Sequence, residues 1–415
     1  MVRVGVGAAV LAAAMFSAPL ISAGTASAQP AGQLAGGLTL TPAERLSLLP
    51  LKQAVDARDW ATAASLVPTS RAAVRSEQAR YVVARLQLEI AIATQNRAGQ
   101  NQALIALIGN STPGSQERVE LLRRYAAVAF DAANPEVAEG ALNQALQLAP
   151  NDPETLSMLG QVRRSRNNNP QALGYFQRAI SSAAAQGRTL PESRYKVALA
   201  LAEQLGQRPA ALEIGREFIR AYPTAANWRD VLMVFRTVGT VDPADALDAW
   251  RLMRAAGALA GERDYVAMAT ALDQAGLPAE AKAVIDEGIA RRHVTASDAV
   301  PRALVTGANP RIARERGALS GQIAEARAAT ATATQARTAA DTLLSHGRYA
   351  DAAELYRLAL GRVGEDPSLI STRLGIALAL AGQRAEADAA FRAASGPRSS
   401  LAALWSIWAS RPRAG

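Results

Sequence analysis

Apolar positions in this chain fall at helical spacing, in stretches of a dozen or so residues broken by Gly, Pro and Asn. A longer rhythm runs through them. Ala138, Ala172, Ala211, Ala246, Ala281, Ala352 and Ala387 are separated by 34, 39, 35, 35, 71 and 35 positions, and 71 is close to two units. A period near ~34 with helical patterning inside each unit predicts an all-α chain, a solenoid of stacked antiparallel helix pairs. No strand pattern competes: Val231 to Phe235 is apolar enough for a strand but lies inside a longer helical register.

Ala103 and Ala64 extend the series backwards, and a unit centred near Gly317 fills the double gap. That makes ten helix pairs from Thr41 to about Ser395. Thr41-Pro42-Ala43-Glu44 supplies an N-cap, a proline at the first helical position and an early acid. Gly206-Gln207-Arg208, His346-Gly347-Arg348 and Gly382-Gln383-Arg384 read as turns inside pairs, with glycine closing the first helix in a left-handed cap.

The chain divides accordingly. Residues 1–28 read as a secretory signal: Arg3 is the charge, Val4 to Phe16 the apolar stretch, and Ala26-Ser27-Ala28 the cleavage site. An uncleaved anchor in the inner membrane is the alternative. Residues 29–40 are a glycine-containing linker. Residues 41–296 form an N-terminal array, 297–332 a degenerate helix pair or hinge, 333–395 two C-terminal repeats, and 396–415 a capping helix and tail. Ala and Thr crowd the stretch from Ile312 to Leu344, which reads as two ordinary helices with a loop near Thr330, or as a hinge.

Composition refines this picture. Hydrophobic residues make up 49% of the 415 positions but aromatics only 5%, so alanine carries much of the packing, which suits close helices. The net charge of +9 is spread out, without a run of like charge, so no nucleic-acid tail is expected. No cysteine occurs, which removes disulfides, thiolate metal sites and a lipid-attachment cysteine. With the signal, this composition points to a Gram-negative periplasm, with no further integral span after cleavage.

The unit starting at Pro153 has Leu156, Leu159-Gly160, Ala172, Phe176 and Ala179 at positions 4, 7, 8, 20, 24 and 27. The C-terminal units repeat this with Ala352, Tyr356 and Ala359, then Gly375, Ala387, Phe391 and Ala394. These residues resemble the tetratricopeptide repeat, and the chain resembles an exported bacterial member of that family. The resemblance implies a right-handed superhelical solenoid. Small residues sit where backbones approach most closely, because a larger one would overpack. Arg163 departs from the pattern, standing where position 11 is aromatic.

Catalytic constellations are missing. His293 and His346 lack metal-ligand partners at helical spacing, and no phosphate loop or nucleophile elbow occurs. No catalytic, cofactor-binding or metal residue is expected. The resemblance instead implies a concave surface lined by first helices at positions 2, 5, 9 and 12. Trp228, Val231 and Phe235 then form an apolar patch, and Gln161, Arg164 and Arg123 polar contacts, the arginines suited to a carboxylate. The expectation is a non-enzymatic periplasmic scaffold that binds protein or peptide partners in envelope biogenesis or secretion. The alternative is a helical accessory module of a polysaccharide export or peptidoglycan-processing complex.

Overall fold

The computed structural model describes residues 33–34 and 38–411. The signal stretch and most of the linker therefore lie outside the described residues. Gln33–Leu34 and Leu38–Thr39 form a two-stranded antiparallel ladder, β1 and β2. Everything after Thr41 is helical, and the chain divides into two compact units at Gly114.

The first unit holds α1 (Pro42–Asp56), α2 (Trp60–Ala73), α3 (Glu77–Ala93) and α4 (Arg97–Gly109). Leu51, Val55, Ala63, Val67 and Ile90 form one core, and Leu40, Leu48, Val74, Ala79 and Val83 another. Glu44 ties the unit together. It completes a capping box with Thr41 and also accepts from the backbone N–H groups of Arg75 and Ser76, where α3 begins. Above all the Ser76 N–H, against the opposing effect of burial, holds its carboxyl down at about 2.

The second unit starts with α5 (Ser115–Asp131), α6 (Pro135–Leu148), α7 (Pro153–Ser165), α8 (Asn169–Ala185), α9 (Glu192–Gln204) and α10 (Arg208–Ala221). It continues through α11 (Ala225–Thr237), α12 (Pro243–Ala255), α13 (Gly261–Gln274) and α14 (Pro278–Ala290). A single helix follows, α15 (Ala299–Arg327). Then come α16 (Ala333–Ser345), α17 (Tyr349–Leu360), α18 (Pro367–Leu380), α19 (Arg384–Ala393) and α20 (Ser399–Ser410).

Consecutive helices pack on one another throughout each unit, which is the all-α solenoid of stacked pairs. Among the described residues there are nine pairs rather than ten. Where a helix pair or hinge was expected over 297–332, one helix of 29 residues runs on. The turn that would split it has no breaker, because Gly317 sits in the helix interior and Pro310 is accommodated within it. A loop at 328–332 separates it from α16.

Each pair reverses through one residue with left-handed backbone. Gly206, Gly239, Gly276, Gly347 and Gly382 serve in five pairs. Arg58, Gln95, Ala133 and Asn167 serve in the other four, at a steric cost of about 1 kcal/mol each.

Close helix crossings explain the small residues. A Cβ on Gly375 would lie 2.4 Å from the Phe391 ring, and one on Gly160 would lie 3.0 Å from Phe176. Ala172, Ala179, Ala352, Tyr356, Ala359, Ala387 and Ala394 are buried with them. The Phe176 and Phe391 rings of these second helices thus lie over the backbones of their first helices.

Candidate partner-binding surface

The first helices of the second unit's N-terminal pairs keep an open face. On α5 it carries Arg123, half-buried, and Ala127, exposed; on α7 the same positions hold Glu154 and Gln161, half-buried, Ser157, buried, and Arg164, exposed. Arg164 is exposed, with no ion-pair partner among the described residues. The Ser157 hydroxyl and the Gln161 Nε2, one helical turn apart, are buried without hydrogen-bond partners. A group that loses water and gains no partner is costly, so these two atoms destabilise this turn of α7.

Arg123 is already engaged. Its Nη1 donates to Asp152 at 3.2 Å and to Glu154 at 3.3 Å, and Arg188 pairs with Glu154 from the other side. Asp152 is also the N-cap of α7, accepting from the Thr155 N–H at 2.9 Å. Arg123 therefore joins the α5 pair to the start of the next one, and is not the free cation the sequence pattern implied.

Trp228, Val231 and Phe235 correct the expectation more sharply. All three are in the core, Trp228 at 0% exposure. Val231 packs over Gly215 of α10, where a Cβ would come within 2.8 Å. Phe235 lies under the Arg208 guanidinium, 4.9 Å from the ring centroid, while Arg208 donates to the Phe235 carbonyl at 3.0 Å. The apolar stripe of α11 faces its neighbours, packing against α10. Reading Trp228, Val231 and Phe235 into the groove misplaced the repeat register.

A second constellation was not foreseen. Asp248, fully buried on α12, accepts from Arg251 at 2.8 Å, from Arg373 of α18 at 3.4 Å and from Arg398 at 3.5 Å. Arg251 also grips Glu280 of α14 through three contacts of 2.6–3.1 Å. Arg373 holds Asp341 of α16 with both oxygens at 2.8–2.9 Å, and the Tyr356 hydroxyl donates to Asp341 at 2.6 Å. Arg398 meets Asp245 at 2.8 Å. Burial alone would raise the Asp248 carboxyl; the guanidiniums of Arg373, Arg251 and Arg398 outweigh it and hold the group below the usual carboxylate range. Burial also lifts the Tyr356 phenol well above its ordinary value, with the Asp341 charge adding to it.

The cluster joins distant parts of the unit. The indole N–H of Trp405 donates to the Asp248 carbonyl at 3.2 Å, and that of Trp408 to the Ala255 carbonyl at 3.0 Å. The Glu280 N–H donates to Ser345 Oγ at 3.0 Å. Helix α20 covers α19 and α18 and also reaches α10 and α12. Helix α18 is buried on nearly every side, its polar Ser368, Ser371, Thr372 and Arg373 included.

Among the described residues no group of three or more His, Cys, Asp or Glu could hold a metal ion, and no helix is long and apolar enough to cross a membrane. His346 pairs with Glu315 at 2.9 Å, and His293 stacks on Tyr265.

No protein-family model matches the chain, and no curated protein matches it. Solved structures similar to it include a tetratricopeptide repeat protein from Parabacteroides merdae ATCC 43184, at 13% identity and TM-score 0.35, covering 81% of this chain and 100% of that one. The P58(IPK) TPR domain is similar at 13% identity and TM-score 0.24, covering 88% and 97%. A Naa15/Naa10 structure bound to HypK-THB is similar at 13% identity and TM-score 0.27, covering 87% and 65%. By its helix pairs, its repeat length and the small residues at its crossings, this chain is an all-α array that resembles the tetratricopeptide repeat.

Proposed function

We propose that this protein is a non-enzymatic scaffold that binds a protein or peptide partner along the open first-helix face of α5 and α7. The observation that carries the reading is on α7, where Arg164 is exposed with no ion-pair partner among the described residues. An extended peptide supplies what the exposed guanidinium of Arg164 needs, a carboxylate at its C-terminus or on a side chain. The leader-like residues 1–28 support a periplasmic setting and a task in envelope biogenesis or secretion.

The test is photo-crosslinking in cells from a benzophenone amino acid placed at Arg164. The expected result is a discrete adduct with another protein, lost when Gln161 is changed to Leu and retained when an exposed residue of the second-helix face is changed. Adducts only within the chain would overturn the reading. The periplasmic setting is tested separately, by N-terminal sequencing of the mature chain, with Gln29 as the expected first residue.

A further inference from the structure

We infer that the cleft between α15, α16 and α17 is a second binding site, whose ligand is an extended acidic peptide with two carboxylates and an apolar residue midway between them. The cleft encloses about 400 Å³, enough for a small ligand or a few side chains. It opens beside α15, the single helix that stands where a helix pair was expected, which packs on α16 and touches α17.

The α15 wall is one stripe. Arg316, Leu319, Ile323 and Arg327 recur at spacings of three and four and so share a face, with a guanidinium at each end and aliphatic side chains between. That stretch of helix sets the two arginines about 16 Å apart. Leu343 of α16 and Leu355 of α17, both buried, complete the apolar floor, and Arg348 lines the α17 side.

The charge on this lining is lopsided. Three guanidiniums meet one carboxylate, Asp351, which Arg348 holds at 2.6 Å. Arg327 reaches Glu354 at 2.9 Å, but both side chains are more than half exposed, and water weakens such a pair to little. Arg316 is exposed with no ion-pair partner among the described residues, and its neighbour Glu315 is turned to His346. The cleft thus offers an anion an unpaired cation at one end of an apolar strip and a loosely held one at the other. An extended chain rises about 3.3 Å per residue and points alternate side chains the same way. Acidic residues at i and i+4 then stand about 13 Å apart on one side, within side-chain reach of both arginines, and the residue at i+2 lies over Leu319 and Ile323. A helical ligand with acids at that sequence spacing holds them about 5–6 Å apart and meets one arginine at a time.

The test is fluorescence anisotropy on the full chain with a labelled nine-residue peptide carrying Glu-Thr-Leu-Thr-Glu at its centre. Saturable binding is expected, weakened at least fivefold by Arg316→Gln and at least threefold by Ile323→Ser, with helical circular dichroism unchanged. Arg302→Gln, the same charge change at an exposed position of α15 outside the cleft, should leave the affinity as it was. Replacing both glutamates of the peptide with glutamine should abolish binding. Moving the second one by a single position, to the other side of the strand, should weaken it at least threefold. No saturation, equal binding by Arg316→Gln and Arg302→Gln, or indifference to the position of the second glutamate would overturn the site. Equal affinity for sebacate, a free ten-carbon dicarboxylate, would make the ligand a small molecule and overturn the peptide. None of these readings involves Arg164, so the outcome is independent of the α7 face.

Discussion

Asp248 and Arg373 stand 125 positions apart in the chain and meet in the interior of the second unit, Nε to Oδ2 at 3.4 Å. A solenoid whose units touch only their neighbours would never bring them together. Their meeting means that the C-terminal repeats fold back on the middle of the array. It also divides the first helices into an open set near α7 and a covered set near α18.

The packing of second-helix rings on first-helix glycines predicts an order of damage. Gly375→Ala places a methyl group 2.4 Å from the Phe391 ring and should cost about 2–3 kcal/mol, within the range for overpacked cores. Gly160→Ala meets Phe176 at 3.0 Å and should cost less, about 1 kcal/mol. Phe391→Leu should recover part of the loss in Gly375→Ala. Urea unfolding followed by circular dichroism measures all three.

Trp228→Ala and Phe235→Ala should each destabilise by about 3–5 kcal/mol, the usual cost of emptying an aromatic site in a core. Below the melting transition neither should alter crosslinking from Arg164. Reduced crosslinking at full helicity would return these side chains to the binding surface.

The four turns inside helix pairs that lack glycine are strained, and relieving one should stabilise. Ala133→Gly removes a Cβ from a backbone at φ 56° between α5 and α6 and should add about 0.5–1 kcal/mol, net of the freedom glycine gains when unfolded. Gly347→Ala, at φ 73°, should do the reverse. Thermal unfolding of the two variants gives the signs.

Glu44 predicts acid sensitivity in the first unit. Its carboxyl titrates at about 2 in the folded chain against 4.5 when unfolded. A lowered folded value stabilises above the unfolded one, so the contribution is complete above pH 4.5 and is lost as pH falls towards 2. Glu44→Gln should flatten the stability of residues 38–114 across that window, as read by hydrogen exchange of α1 and α3. An unchanged slope would mean that its bonds to Arg75 and Ser76 do not hold in solution.

Much of the architecture was legible because it is local. The alanine period, the caps and the glycine turns each act within one helix pair, and the eye can count them. The left-handed turns at Arg58, Gln95, Ala133 and Asn167 hid because their residue types do not advertise φ. Helix α15 hid because register is preserved across it whether the chain turns or not. The candidate face on α7 followed from repeat position, whereas Trp228 and Phe235 were misassigned because the repeat register on α11 was misplaced and both face the core. The cluster around Asp248 was out of reach, since its partners lie 125 and 150 positions away and no period links them.

The division into an open and a covered face is tested most directly by single cysteines at equivalent repeat positions, Arg164→Cys on α7 and Ala379→Cys on α18, in a chain that otherwise has none. Under native conditions a maleimide should label position 164 within minutes and leave position 379 at least a hundredfold slower, with both labelling alike in denaturant. Equal native rates at the two positions would contradict the account.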